Sequence, residues 1–178
     1  MKWNWMVECV TEELQKFYDA FEKGNRPKLA IQLPPQHGKS WSAEDFAAWL
    51  AGKRSDLKTI YASYSADLGT LRNRNLYRLF KSPIFQEIFP DFVIEQQGYV
   101  CNTDLIEYCG EAGSFRNTTI EGPINGMELH LGIVDDYAKG RAEANSKKQR
   151  DHTWRWFTDD FMARFSQDSC LLYTSRCV

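Results

Sequence analysis

The stretch LAIQLPPQHGKS, residues 29–40, constrains the fold more than any other part of the chain. A short, mostly apolar run of strand character stops at two prolines, and Gly-Lys-Ser follows at 38–40. From there to residue 51, Phe46, Ala47, Trp49 and Leu50 recur at helical spacing. Strand, tight loop and helix in that order point free backbone N–H groups and the positive end of a helix dipole into the loop, which suits an anion. Gly38 lets the backbone approach such a group closely, and Lys39 and Ser40 add a cation and a hydroxyl at the spacing of a phosphate loop. The loop's usual leading glycine is missing, its place held by Leu33. Pro34 and Pro35 stiffen the approach instead, since each fixes its own φ and extends the residue before it. The bland alternative is a proline turn capping an ordinary helix, because Gly-Lys-Ser/Thr arises by chance in about one chain in ten of this size.

The remaining pattern repeats the alternation. Residues 7–23 place Val7, Val10, Leu14, Phe17, Tyr18 and Phe21 on a helical stripe that ends at Gly24, forming a lead-in over 1–28. LAIQL reads as a buried strand, LKTIYASYS (57–65) as a second buried strand, and 66–80 as a second helix. This order predicts an α/β protein of three layers around a mainly parallel sheet. Beyond Pro83 and Pro90, GYVCNT and LIEYCGEAG predict a hairpin, SFRNTTIEGPING a polar loop, and LHLGIVDD (129–136) another buried strand. Residues 146–165 read as the longest helix, with Trp154, Phe157, Phe161, Met162 and Phe165 on one core-facing stripe. At 178 residues and 43% hydrophobic content, one domain with a substantial core is expected, spanning 1–169. A net charge of −2 gives no global attraction to nucleic acid or membrane, so any such contact must be local. Five cysteines without metal-site spacing read as free thiols, and no apolar run reaches the roughly 20 residues of a membrane span. SCLLYTSRCV at 169–178 matches a reading frame of a common sequencing adaptor. Residues 170–178 are therefore expected to be an artefactual or incomplete tail, with the polypeptide truncated on its C-terminal side.

The second chemical feature is the end of LHLGIVDD. Residues 131–134 are apolar enough for a central strand, and Asp135 and Asp136 close it about a hundred residues after the loop. Asp135 suits a divalent metal held together with Ser40, and Asp136 suits a base that orients an attacking water. Aspartate is one methylene shorter than the glutamate often used there, so its carboxylate must sit about an ångström closer to that water. The alternative for any Asp-Asp pair is a surface turn with two solvated acids.

With both motifs placed, the sequence resembles the ATPase domain of the large terminase subunits of tailed bacteriophages. PPQHGKS (34–40) resembles that family's glycine-poor Walker A, and IYASYSADL (60–68) the strand and helix start after it. GSFRNTTIEGPINGMELHLGIVDD (113–136) is similar to the approach to Walker B, and KGRAEANS (139–146) and TWRWFTDDFMARF (153–165) to the arm and helix beyond. The resemblance implies an ASCE-type P-loop NTPase fold that hydrolyses ATP with Mg²⁺ to move double-stranded DNA into a procapsid. Lys39, Ser40, Asp135 and Asp136 take their roles by motif position, with Pro35, Gln36, His37 and Gly38 lining the nucleotide. It further implies a homo-oligomeric ring, a portal protein and a small terminase subunit as partners, and the host cytoplasm as location. Gln36 departs from the family, where Arg is common, and Gly126-Met127 departs from a Gly-Arg or Gly-Glu pair. The coupling motif would fall in LLYTSRCV, and the family's nuclease domain is absent, so no DNA cleavage is expected.

Other residues admit two readings each. Arg141 is either a trans arginine finger in a ring or a solvated loop arginine. Arg72, Arg74 and Arg78 either touch DNA phosphates or lie on a solvated helix face, with only Arg74 and Arg78 sharing a face. His37 contacts nucleotide or merely packs, His130 and His152 lack plausible metal partners, and Trp3 and Trp5 line the adenine side or pack. The two Walker-type motifs also suit a helicase-like P-loop NTPase or a nucleotide-binding fragment without turnover. No Asn-Lys-x-Asp stretch supports a guanine-specific GTPase.

Overall fold

The computed structural model describes residues 5–124 and 126–176, with the side chains of residues 141, 142 and 176 outside the described set. Helix α1 (Trp5–Glu22) buries Val7, Val10, Leu14, Phe17 and Phe21, the predicted stripe, and hands over to a left-handed Gly24. Strand β1 (Lys28–Leu33) leads through the loop into helix α2 (Lys39–Lys53), then strand β2 (Lys58–Ser63) and helix α3 (Ala66–Phe80) follow. A short helix α4 (Pro83–Ile88), capped by the Ser82 side chain, precedes strands β3 (Leu105–Glu107), β4 (Ser114–Thr119) and β5 (Leu129–Asp135). Helices α5 (Gly140–Asn145) and α6 (Lys147–Arg155) follow, and strand β6 (Phe165–Arg176) ends the described residues.

One six-stranded sheet carries the fold, in the order β1-β6-β5-β2-β4-β3. Every pairing is parallel except β3 with β4. The helices cover it from two sides. On one face α1, α2 and α3 enclose Phe17, Phe46, Leu50, Leu76, Phe80, Ile133 and Leu172. On the other, Trp156 and Phe161 close over Ile60, Leu129, Val134 and Leu171. This is the expected three-layer α/β arrangement.

Five stretches differ from the sequence expectation. β1 is not fully buried: as an edge strand paired only with β6, it turns Leu29, Ile31 and Leu33 to the helices while Ala30 and Gln32 stay exposed. The polar loop at 114–119 is strand β4, whose Phe115 is core and whose buried Asn117 is satisfied by the Thr103 carbonyl at 2.6 Å. Gly69 permits this: a Cβ there would lie 2.6 Å from Asn117 Oδ1, so only glycine lets α3 rest so closely on β4. The hairpin is reduced to a bridge between Cys101 and Ile106, because residues 105–107 pair with β4 instead.

The long helix predicted for 146–165 is also broken. After α6 come a π-helical stretch, Trp156–Phe161, and a 3-10 turn, Met162–Arg164. Widening the turn shifts the register of the inward face, so Trp156 is buried while Trp154 is 64% exposed. Residues 170–176, expected as an incomplete tail, form the body of β6. Its Cys170, Leu171, Leu172, Thr174 and Ser175 are buried between β1 and β5, consecutive residues included, as in a central parallel strand covered on both faces. Among the described residues Cys9, Cys101, Cys109 and Cys170 are free thiols, and no helix is long and apolar enough to cross a membrane. Cys177 lies outside the described residues.

Candidate active site

The parallel register fixes where the loop and the acids meet. Ser63 pairs with Asp135, Asp135 with Thr174, and Leu33 with Arg176, so β1, β2, β5 and β6 end at one rim of the sheet. In parallel α/β sheets ligands gather at the carboxyl ends of the strands, and that rim is where the loop emerges. Two residues of the loop take left-handed backbone angles, Gln36 at φ 64° and Gly38 at φ 81°. Gly38 does so freely as the N-cap of α2, whereas Gln36 holds a conformation that side chains rarely adopt. The His37 ring donates from Nδ1 to the Pro35 carbonyl at 2.8 Å, which ties the exposed ring to the loop itself.

Lys39 opens α2 with its side chain almost fully enclosed, and its Nζ lies 3.7 Å from Asp136 Oδ1. Asp136 sits just past β5 in a left-handed conformation, φ 45°, its backbone anchored to Thr174 and Tyr64. Asp135 is 2% exposed. Three hydroxyls donate to it: Ser40 Oγ at 3.0 Å and Thr174 Oγ1 to Oδ1, and Tyr61 Oη at 2.5 Å to Oδ2. Burial, then the neighbouring Asp135 charge, holds the Tyr61 hydroxyl well above its ordinary pKa, so it remains a proton donor at neutral pH. A hollow of about 640 Å³ lies over these groups, bounded by Pro35, Gln36, Gly38, Lys39, Ser40, Asp135 and Asp136 together with Tyr64, Leu68 and Arg72. That size suits a nucleotide-scale ligand.

The structure thus brings Pro35, Gln36, Gly38, Lys39 and Ser40 together with both acids, while the exposed His37 ring lines no part of the hollow. It does not bring every candidate there. Of the three arginines on α3, Arg72 alone lines the hollow, buried and ion-paired with Glu44 at 3.0 Å, while Arg74 and Arg78 are exposed away from it. Trp5 is 79% exposed and lines no part of the hollow, and Trp3 lies outside the described residues. Arg141 belongs to α5, but its side chain lies outside the described set. His130 accepts from the Lys58 amide at 3.1 Å, and burial pushes its pKa down. His152 pairs with Glu121. Sequence reasoning missed Tyr61, Thr174 and Arg72 as members of the site. For Thr174 a signal exists, since a strand beside LHLGIVD in parallel register sets a residue opposite Asp135.

Comparisons with known proteins accord with this geometry. The family described as terminase large subunit, T4likevirus-type, N-terminal, matches residues 30–170. Comparison with curated proteins returned no match. Among solved structures, the HK97 bacteriophage large terminase superposes with a TM-score of 0.61 at 13% identity, covering 98% of this chain and 33% of that one. The Thermus phage P74-26 large terminase ATPase domain gives 0.52 at 18% identity, covering 84% and 59%. A chain of the bacteriophage Phi-29 viral genome packaging motor assembly gives 0.50 at 13%, covering 90% and 45%. At such identities the likeness speaks to the fold, and this chain spans only part of each of these proteins. The match over residues 30–170 goes further than the fold: the chain belongs to the T4likevirus-type large terminase family, in its N-terminal region.

Proposed function

We propose that this chain binds and hydrolyses ATP in the hollow at the sheet rim and, within a large terminase subunit, drives double-stranded DNA into a procapsid. The observation that carries the reading is the convergence of Lys39, Ser40, Asp135 and Asp136 on one hollow, from two elements 95 residues apart in the chain. The α2 amides and Lys39 hold the β- and γ-phosphates, with Pro35, Gln36, His37 and Gly38 along the loop. The donor set fits Mg²⁺, which takes hard oxygen ligands: a buried carboxylate, Asp135, stands 3.0 Å from the Ser40 hydroxyl at the edge of the hollow. Bound there by Ser40 and Asp135, the ion would neutralise charge on the phosphates.

Asp136 orients the attacking water and takes its proton as the water oxygen bonds to the γ-phosphorus and the bond to ADP breaks. Its 3.7 Å separation from Lys39 Nζ sets the base beside the cation that holds the phosphates. Arg141, on α5 beyond the acid pair, acts in trans on a neighbouring subunit of a homo-oligomeric ring. Portal protein, small terminase subunit and the host cytoplasm complete the setting. Phosphate release by the chain and by its Lys39→Ala variant tests the site. A fall of at least about 100-fold is expected when the phosphate-binding cation is lost. Undiminished hydrolysis would overturn the assignment, and nucleotide binding without turnover in the parent protein would reduce it to a binding fragment.

A further inference from the structure

We propose that Arg72 is the second cation of the hollow and contacts the terminal phosphate of the bound nucleoside triphosphate, an inference that rests on the nucleotide reading above. The loop itself supplies one permanent cation, Lys39, and its central position is the neutral Gln36. Around the hollow, Lys39 and Arg72 stand against Asp135 and Asp136, two charges against two. Remove Arg72 and the lining becomes net negative, which opposes a triphosphate carrying several negative charges of its own.

Placement agrees with this role. Arg72 lies on the side of α3 that faces α2, as its 3.0 Å bond from Nη1 to Glu44 Oε2 requires. Glu44 is one turn beyond Ser40, so the guanidinium flanks the acid-bearing side of the hollow, where the terminal phosphate would lie. Its charge also acts on the Tyr61 hydroxyl that donates to Asp135, which puts it within electrostatic reach of the metal-side carboxylate.

The guanidinium is incompletely used. Arg72 is 8% exposed, and its Nε is enclosed with no hydrogen-bond partner among the described residues. An enclosed N–H of a charged group without an acceptor is costly, so such groups are nearly always paired. A phosphate oxygen is the acceptor that a guanidinium fork matches best, and a small rotation of the long side chain toward the hollow supplies it. Glu44 is the resting partner. Burial raises its pKa, and Arg72 opposes that rise, so the carboxylate and the phosphate compete for one guanidinium. Because ADP lacks the group that Arg72 reaches, the residue favours triphosphate over diphosphate.

Isothermal titration of the 178-residue protein with Mg·ATPγS and with Mg·ADP tests this. Arg72→Gln alone leaves the half-buried Glu44 without its cation, with the 3.4 Å bond from Asn75 remaining, and risks the fold. Arg72→Gln/Glu44→Gln therefore carries the test, with Glu44→Gln as its partner and far-UV circular dichroism confirming each fold. The double variant is expected to lose about 10- to 100-fold in the ATPγS-to-ADP affinity ratio, the worth of one or two charge-assisted hydrogen bonds. Glu44→Gln, which keeps Arg72 and frees it, is expected to retain or raise the ratio. A folded double variant with the parent's ratio overturns the role of Arg72 and leaves the nucleotide site standing. A parent protein that binds neither nucleotide overturns the site reading and this inference together.

Discussion

At the scale of single residues, the site depends on how Asp135 is held. A carboxylate that is 2% exposed and accepts from three hydroxyls is fixed in rotamer, and among the described residues the Tyr61 hydroxyl is the one that anchors its Oδ2. The acid was legible, because an Asp that ends a run of buried apolar residues has few structural uses. Tyr61 was not, since within LKTIYASYS it looks like any aromatic of a buried strand, and only the register of β2 on β5 aligns it with the site. Tyr61→Phe keeps the ring and removes the donor. The variant is expected to melt within about 2 kcal/mol of the parent, since one hydrogen bond to a charged group is lost. Its half-saturating Mg²⁺ concentration for ATP hydrolysis is expected to rise about tenfold, as loss of an outer-sphere partner weakens a metal site by that order. Unchanged Mg²⁺ dependence would show that Ser40 and Thr174 suffice to orient the carboxylate.

At the scale of elements, α1 and α3 were located by the one dry face each presents, and β2 and β5 by mostly apolar runs that are buried on both faces. β4 escaped because its outward positions are Ser114, Arg116 and Thr119, and its buried ones include Asn117 and Thr118, so polarity masked the alternation. The stretch after α6 escaped for another reason. A 3.6-residue period assumes an unbroken helix, and the π-helical Trp156–Phe161 segment lets the inward face slip past Trp154. Gly132 makes room for the aromatics that follow, since a Cβ there would meet Phe161 at 3.0 Å and Phe165 at 2.9 Å. The two tryptophans therefore separate the two pictures. Trp156→Ala is expected to cost about 3–5 kcal/mol by emptying a core site, and Trp154→Ala about 0.5 kcal/mol or less as a surface change. Chemical denaturation of both variants measures the difference. The reverse order would restore the straight helix that the sequence suggests.

At the scale of the whole molecule, the loop and the acids belong to strands that do not touch. β1 carries the loop and β5 carries Asp135, and β6 lies between them, paired over Lys28–Leu33 on one side and as far as Asp135 on the other. The distance between Lys39 and the acid pair is thus set by a strand whose latter half is the stretch that its match to a sequencing adaptor marked as a tail. Fully burying a leucine is worth about 1.5–3 kcal/mol, and β6 buries Leu171 and Leu172 along with Cys170. Against a total stability of about 5–15 kcal/mol for a domain, losing those side chains and two ladders of backbone hydrogen bonds removes a decisive share. A polypeptide ending at Ser169 is expected to lack a cooperative thermal transition and to bind no Mg·ATPγS, because β1 then has no neighbour to fix the loop beside Asp135. Calorimetry and nucleotide titration of the shortened protein beside the parent give the comparison. If the shortened protein melted at the parent's temperature, β6 would be dispensable and the sheet order would have to close β1 directly onto β5.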